Sequence, residues 1–113
     1  MKLNSKQKNE LKKIAQTINQ PIQIGKSGLT AEFIKNLEKA LNDHELIKVK
    51  FSSFKSDRDL LVKHICENTG ADIVTTLGNV AVLFRESNVK EKRSISLKLK
   101  EDIFRTLTKH SLS

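Results

Sequence analysis

The chain has 113 residues, enough for one ordinary domain and too few for a second core of useful size. Its 21 Lys and Arg against 13 Asp and Glu leave a net charge of +8, a balance that suits a polyanionic partner such as nucleic acid or an acidic membrane. The single cysteine, Cys66, excludes an intramolecular disulfide and a multi-thiolate metal site, and the longest apolar run, Val80 to Phe84, is far too short for a spanning helix.

From Ser5 to Asn19, the recurrence of Leu11, Ile14, Ala15 and Ile18 predicts an amphipathic helix. Lys6, Lys8, Lys12 and Lys13 fall largely elsewhere on its wheel. Pro21 stops it, and Ile22 and Ile24 alternate with Gln23 in a very short strand. The loop "GKSG", Gly25 to Gly28, follows. Thr30 is then a good N-cap for a second helix whose apolar stripe is Phe33, Ile34, Leu37, Ala40 and Leu41, ending near Asp43.

"LIKVKF", Leu46 to Phe51, alternates apolar residues with Lys48 and Lys50, as a half-buried strand with a basic outer face does. Ser56 and Asp59 have capping-box spacing before a third helix that buries Leu61, Val62, Ile65 and Cys66 and closes at Gly70. Two β-rich runs, Ala71 to Thr76 and Val80 to Arg85, flank Gly78 and Asn79 and predict an antiparallel hairpin. Beyond Arg85 the composition changes, with seven Lys or Arg against four Asp or Glu. Leu99, Ile103, Phe104 and Leu107 there fit either a docked helix or a solvated tail.

The order α-β-α-β-α-β-β predicts an α/β or α+β fold with a four-stranded mixed sheet and three helices. Strands joined through crossover helices are expected to be parallel neighbours. The expected division is a domain over 1–85 and a basic C-terminal extension over 86–113, so that truncation after Arg85 leaves the folded core intact.

Glycines allow close backbone approach, so Gly25 and Gly28 can expose N–H groups while Lys26 and Ser27 project outward, and the second helix points its N-terminal N–H groups into the same region. A phosphate suits such a loop. A bare chain reversal between strand and helix is the competing reading, since GxxG is short. A similar loop clamps nucleic-acid backbone in the KH module, although there it joins two helices. A nucleotide-hydrolysing phosphate loop is excluded, because the leading glycine of the GxxxxGK pattern is missing ahead of Gly25 and Lys26.

"QIGKSGLT", "ALNDHELIKVKF" and "TGADIVTTLGNVAVLFR", in that order, resemble the CRM domain, the chloroplast RNA splicing and ribosome maturation module, in its stand-alone bacterial YhbY-like form. The resemblance runs from about Leu3 to Arg85. It implies a fold similar to the C-terminal domain of translation initiation factor three and binding to RNA, in bacteria to precursors of the large ribosomal subunit. Gly25, Lys26, Ser27 and Gly28 take the place of the family's GxxG loop.

Five lysines against one acid from Met1 to Gln20 add Lys6, Lys12 and Lys13 to the candidate RNA-binding residues, and Lys48, Lys50 and Lys55 extend the basic character on and after the second strand. The helix lysines have a plainer reading as a solvated face, and the strand lysines can follow a second phosphate row if they share a face with the loop. With no Trp or Tyr, phosphate and shape recognition should dominate over base stacking. His44, His64 and His110 are scattered and give a metal site little support, and Cys66 reads as a core residue. The expectation is therefore a non-enzymatic, monomeric, cytoplasmic RNA-binding protein with no cofactor, small-molecule substrate or membrane partner. The alternative is a general nucleic-acid-binding, chaperone or splicing-type module not tied to the ribosome.

Overall fold

Alternating or continuous apolar runs set four strands into one sheet, and helical spacing covers both of its faces. The computed structural model describes residues 2–25, 27–51 and 58–101. Helix α1, Ser5–Ala15, begins at Asn4, whose side chain accepts the Gln7 N–H at 2.8 Å while Gln7 Oε1 accepts the Asn4 N–H at 2.9 Å. This reciprocal cap satisfies two donors that a helix start otherwise leaves unpaired. The helix stops short of Asn19. Thr17 Oγ1 donates to the Ile14 carbonyl at 2.7 Å and Lys48 Nζ to that of Ile18 at 3.0 Å, so side chains take the carbonyls that another turn would have used.

There follow β1 (Ile22–Ile24), α2 (Ala31–His44), β2 (Leu46–Phe51), α3 (Arg58–Thr69), β3 (Asp72–Leu77) and β4 (Val80–Phe84), in the order read from the sequence. Ser56, Lys55, Ile103, Phe104 and Leu107 lie outside the described residues, as does Lys26. The strand order is β1-β2-β4-β3, with β1 parallel to β2 and β4 antiparallel to both β2 and β3. The crossover through α2 thus joins parallel neighbours. That through α3 does not, because β4 lies between β2 and β3.

Burial explains the inserted strand. Ala81 and Leu83 of β4 enter the core beneath α2 and α3, while Val82 and Phe84 enter the one beneath α1. A strand apolar on both faces belongs in the sheet interior. β3 exposes Asp72, Ile73 and Leu77 and carries a bulge between Ile73 and Thr75, both suited to an edge. Gly78 adopts φ +57° in the two-residue turn before β4, the glycine-first pattern of a type II′ hairpin.

The first core, centred on Leu37, Leu41, Val49, Phe51 and Ile65, fills the space between the sheet and α2 and α3. The second, Leu11, Ala15, Leu46, Val74, Val82 and Phe84, lies under α1 and is completed by Leu99, which is 2% exposed. Leu99 belongs to a fourth helix, α4, whose described part is 94–101, preceded by a 3-10 turn at Lys90–Lys92. Of the two readings of the segment after Arg85, its first part is therefore docked.

Glu45 anchors this segment. It follows α2 with φ +64°, a left-handed conformation that costs a non-glycine residue roughly 1–3 kcal/mol, and its side chain is wholly buried. One carboxylate oxygen accepts the N–H groups of Ile95 and Ser96 at 3.0 Å each, and the other accepts the Ser87 N–H at 2.8 Å and the Ser96 hydroxyl at 2.7 Å. The carboxylate thus caps α4 from 51 residues away, opposite that helix's partial positive charge. Arg85 makes a second tie: its guanidinium donates to Glu38 Oε2 at 2.6 Å, the Thr69 carbonyl at 2.7 Å and Asn42 Oδ1 at 2.8 Å.

Two exposed pairs add to the docking. Lys92 Nζ donates to Asp43 at 2.8 Å and Lys100 Nζ to Glu86 at 2.6 Å, and these hydrogen bonds hold both carboxyls below their usual range. Their small contribution is present at neutral pH and disappears as the pH falls through the depressed values. Residues 87–99 thus supply the donors to Glu45 and the last side chain of the second core, so the packing runs past the expected boundary at Arg85.

Candidate nucleic-acid interface

Strands β1, β2 and β3 all run the same way, so their C-terminal ends meet at one end of the sheet. The loop from Gly25 to Gly28 leaves β1 there, and the β3–β4 turn lies beside it, with the Phe51 N–H donating to the Asn79 carbonyl at 2.8 Å. Ligands of open α/β sheets gather at strand C-terminal ends because helix N-termini converge there.

The loop is closed by the Gly28 N–H donating to the Gly25 carbonyl at 3.1 Å. Gly28 has φ +69°, which requires glycine or strains any replacement, although a Cβ there would meet nothing within 4 Å. Gly25 is not left-handed, and a Cβ on it would also meet nothing. The fold itself therefore gives no reason for glycine at position 25, whereas close approach of a ligand would. Ser27 is exposed. Thr30 caps α2 as expected, accepting the Phe33 N–H at 3.0 Å, and the exposed Glu32 is the only acid in that helix's first turn.

The lysines divide. Lys50 is paired in register with Gln23, one residue before the Ile24–Phe51 pair from which the loop departs. Continuing across the sheet, Lys50 faces Val80 and Val80 faces Leu77, so Gln23, Lys50, Val80 and Leu77 form a row on the α1 side. Lys48 is two residues back on the same side, and Lys12 of α1 lines a hollow together with it. Among the described residues, no acid pairs with Lys12, Lys13 or Lys50. Lys48 is partly engaged through its bond to Ile18.

Lys6 and Lys13, seven residues apart, share the outer face of α1, away from buried Leu11 and Ala15. The structure thus brings Lys12, Lys48 and Lys50 into one basic strip with the glycine loop at its end, and sets Lys6 and Lys13 on the far side of α1. The sequence reading missed Gln16, Gln23, Thr75 and Leu77, which share this strip. Strand register places them, and short polar or isolated apolar residues carry no local signal for it.

Elsewhere the chemistry is sparse. Burial, helped by the nearby charge of Asp72, pushes the Cys66 thiol up and keeps it protonated at neutral pH. Among the described residues, no cluster of three His, Cys, Asp or Glu could hold a metal, and no helix is long and apolar enough to cross a membrane.

The family model for the CRS1 / YhbY (CRM) domain matches residues 3–85. A protein of Pseudomonas aeruginosa named "Probable RNA-binding protein" is 35% identical over 97 residues, covering 85% of this chain and 92% of its own length. That span is longer than residues 1–85, so the likeness continues into the docked segment. An RNA-binding protein of Haemophilus influenzae is 40% identical over 86 residues, covering 75% of this chain and 87% of its own. The solution structure of a hypothetical protein of Staphylococcus aureus superposes with a TM-score of 0.65 at 34% identity, over 79% of this chain and 94% of that one.

Proposed function

Because this chain belongs to the CRS1/YhbY (CRM) domain family, we propose that it binds structured RNA, and that its RNA is ribosomal, in precursors of the large subunit. The observation that carries the RNA reading is the shared location of the Gly25–Gly28 loop and the lysine strip Lys12, Lys48 and Lys50. Backbone N–H groups and ammonium groups on one surface can follow a phosphate row, and the sugar-phosphate surface of a folded RNA offers such rows without base reading. Lys26 sits between the loop glycines in sequence and is the loop's own cation. In this proposal the protein is a non-enzymatic, monomeric binder acting in the cytoplasm.

Binding should be electrostatic. Several phosphate contacts predict that log K falls against log salt with a slope of roughly −3 to −6. In sucrose gradients the protein should sediment with large-subunit precursors at low salt and leave them at high salt. Recovery only at the top of the gradient at every salt concentration would withdraw the ribosomal assignment. Equal affinity for unrelated RNAs would instead favour a general RNA chaperone or splicing-type module.

The two glycines should behave differently. Gly25→Ala is expected to leave the melting temperature within about 2 °C, since its Cβ meets open space, while weakening RNA binding by about 1 kcal/mol through lost close approach. Gly28→Val should lower stability by about 1–2 kcal/mol through its positive φ and weaken binding as well. Thermal melts and filter-binding titrations of both variants check this. Unchanged binding by Gly25→Ala would return the loop to a simple chain reversal.

A further inference from the structure

Between the C-terminal half of α1 and the β3–β4 side of the sheet lies a hollow of about 250 Å³. Its floor and one wall are apolar, formed by Ala15, Val82 and Leu77. Leu77 is 72% exposed, the most exposed large apolar side chain among the described residues. Gln16 and Thr75 stand on the rim, and among the described residues neither side chain makes a hydrogen bond. Lys12 and Lys48 complete it.

The volume lies below the range of pockets that hold drug-sized ligands and is on the scale of a single heterocycle. The combination is specific: an apolar surface that would lie against the face of a ring, two uncommitted polar side chains that can meet its edge, and two cations at the border. We infer that this hollow seats one unpaired nucleobase of the bound RNA. Leu77 and Val82 pack against the ring, Thr75 and Gln16 hydrogen-bond its polar edge, and Lys12 and the remaining N–H groups of Lys48 hold the phosphates on either side.

This inference rests on the RNA reading above and adds a requirement that phosphate tracking alone lacks, a nucleotide free to leave its helix. In a fully paired A-form helix the bases are stacked and their edges recessed, so nothing can enter the hollow; a bulge or loop supplies a free base. The lysines explain why a nucleotide, with its charge, is favoured over an uncharged apolar group.

The test uses the full chain and two RNA hairpins identical except for one single-nucleotide bulge. Wild type should bind the bulged RNA about fivefold more tightly than the paired one at the same salt, in line with the contribution of one packed base. Leu77→Ser, which removes an exposed side chain and should leave the melting curve unchanged, should abolish that preference by lowering affinity for the bulged hairpin more than for the paired one. Thr75→Val should reduce it in part. Equal wild-type affinity for the two RNAs, or a Leu77→Ser variant that keeps the preference or weakens both RNAs alike, would overturn the nucleobase site while leaving RNA binding standing. Wild type that binds neither RNA would remove the RNA reading itself and this site with it.

Discussion

A chain ended after Arg85 is expected to lose most of its stability, although the family model ends at the same residue. The loss has two parts. Removing Leu99 uncovers the second core, and burying a leucine is worth about 1.5–3 kcal/mol before the newly exposed surfaces of Leu11, Val82 and Phe84 are considered. Removing Ser87, Ile95 and Ser96 strips the Glu45 carboxylate of its four donors among the described residues, and an abandoned buried charge costs on the order of 3–5 kcal/mol. Together these approach the whole stability of an ordinary domain, about 5–15 kcal/mol. Urea unfolding followed by circular dichroism should show a broad or absent transition for residues 1–85 and a cooperative one for the full chain. Within the full chain, Glu45→Ala should cost about 3 kcal/mol, because four donors lose their acceptor. A truncated chain melting within a few degrees of full length would refute this account. Severe truncation with a neutral Glu45→Ala would leave only apolar cover as the role of α4.

The largest effect on binding is expected from reversing two charges of the strip. Lys12→Glu with Lys50→Glu should lower affinity for structured RNA by about 10²- to 10³-fold near 0.1 M salt and flatten the salt slope by about two, since each cation lost removes roughly one released counterion. Both lysines lack an acidic partner among the described residues, so stability should change by no more than about 1 kcal/mol. The control is Lys35→Glu with Lys39→Glu, exposed residues of α2 on the other side of the sheet, where the same change in net charge should cost much less. Equal losses from the two pairs would mean that overall charge, rather than this surface, governs binding.

Much of this was legible in the residues because local patterns report local physics. The alternation in "LIKVKF" located β2 and put Lys48 and Lys50 on one face, and Thr30 announced the start of α2. The central place of β4 is written in the continuous run "VAVLF", whose meaning emerges only when both sheet faces are known to be covered. Glu45 was not legible. A glutamate just past a helix ordinarily faces water, and its burial depends on donors more than 40 residues away. Lys48 was legible as a cation on a strand face, but not as the donor to the carbonyl of Ile18. The hollow was invisible for a similar reason, since Lys12, Thr75 and Leu77 meet only through the packing of α1 on a sheet edge.

The distant cap on α4 also bears on the order in which the protein can mature. Synthesis delivers α1 and all four strands before Ile95, Ser96 and Leu99 exist, so the face of the sheet beneath α1 waits, incompletely closed, with Glu45 lacking its donors. Contacts of long sequence separation form late because their loop entropy is met before they contribute stability. The layer of α2 and α3 draws on residues made earlier and can consolidate first. The unfinished layer is the one that carries Lys12, Lys48 and Lys50. A nascent chain should therefore gain a firm RNA-binding surface only after α4 has been made and docked, which separates emergence of the loop from competence of the whole face.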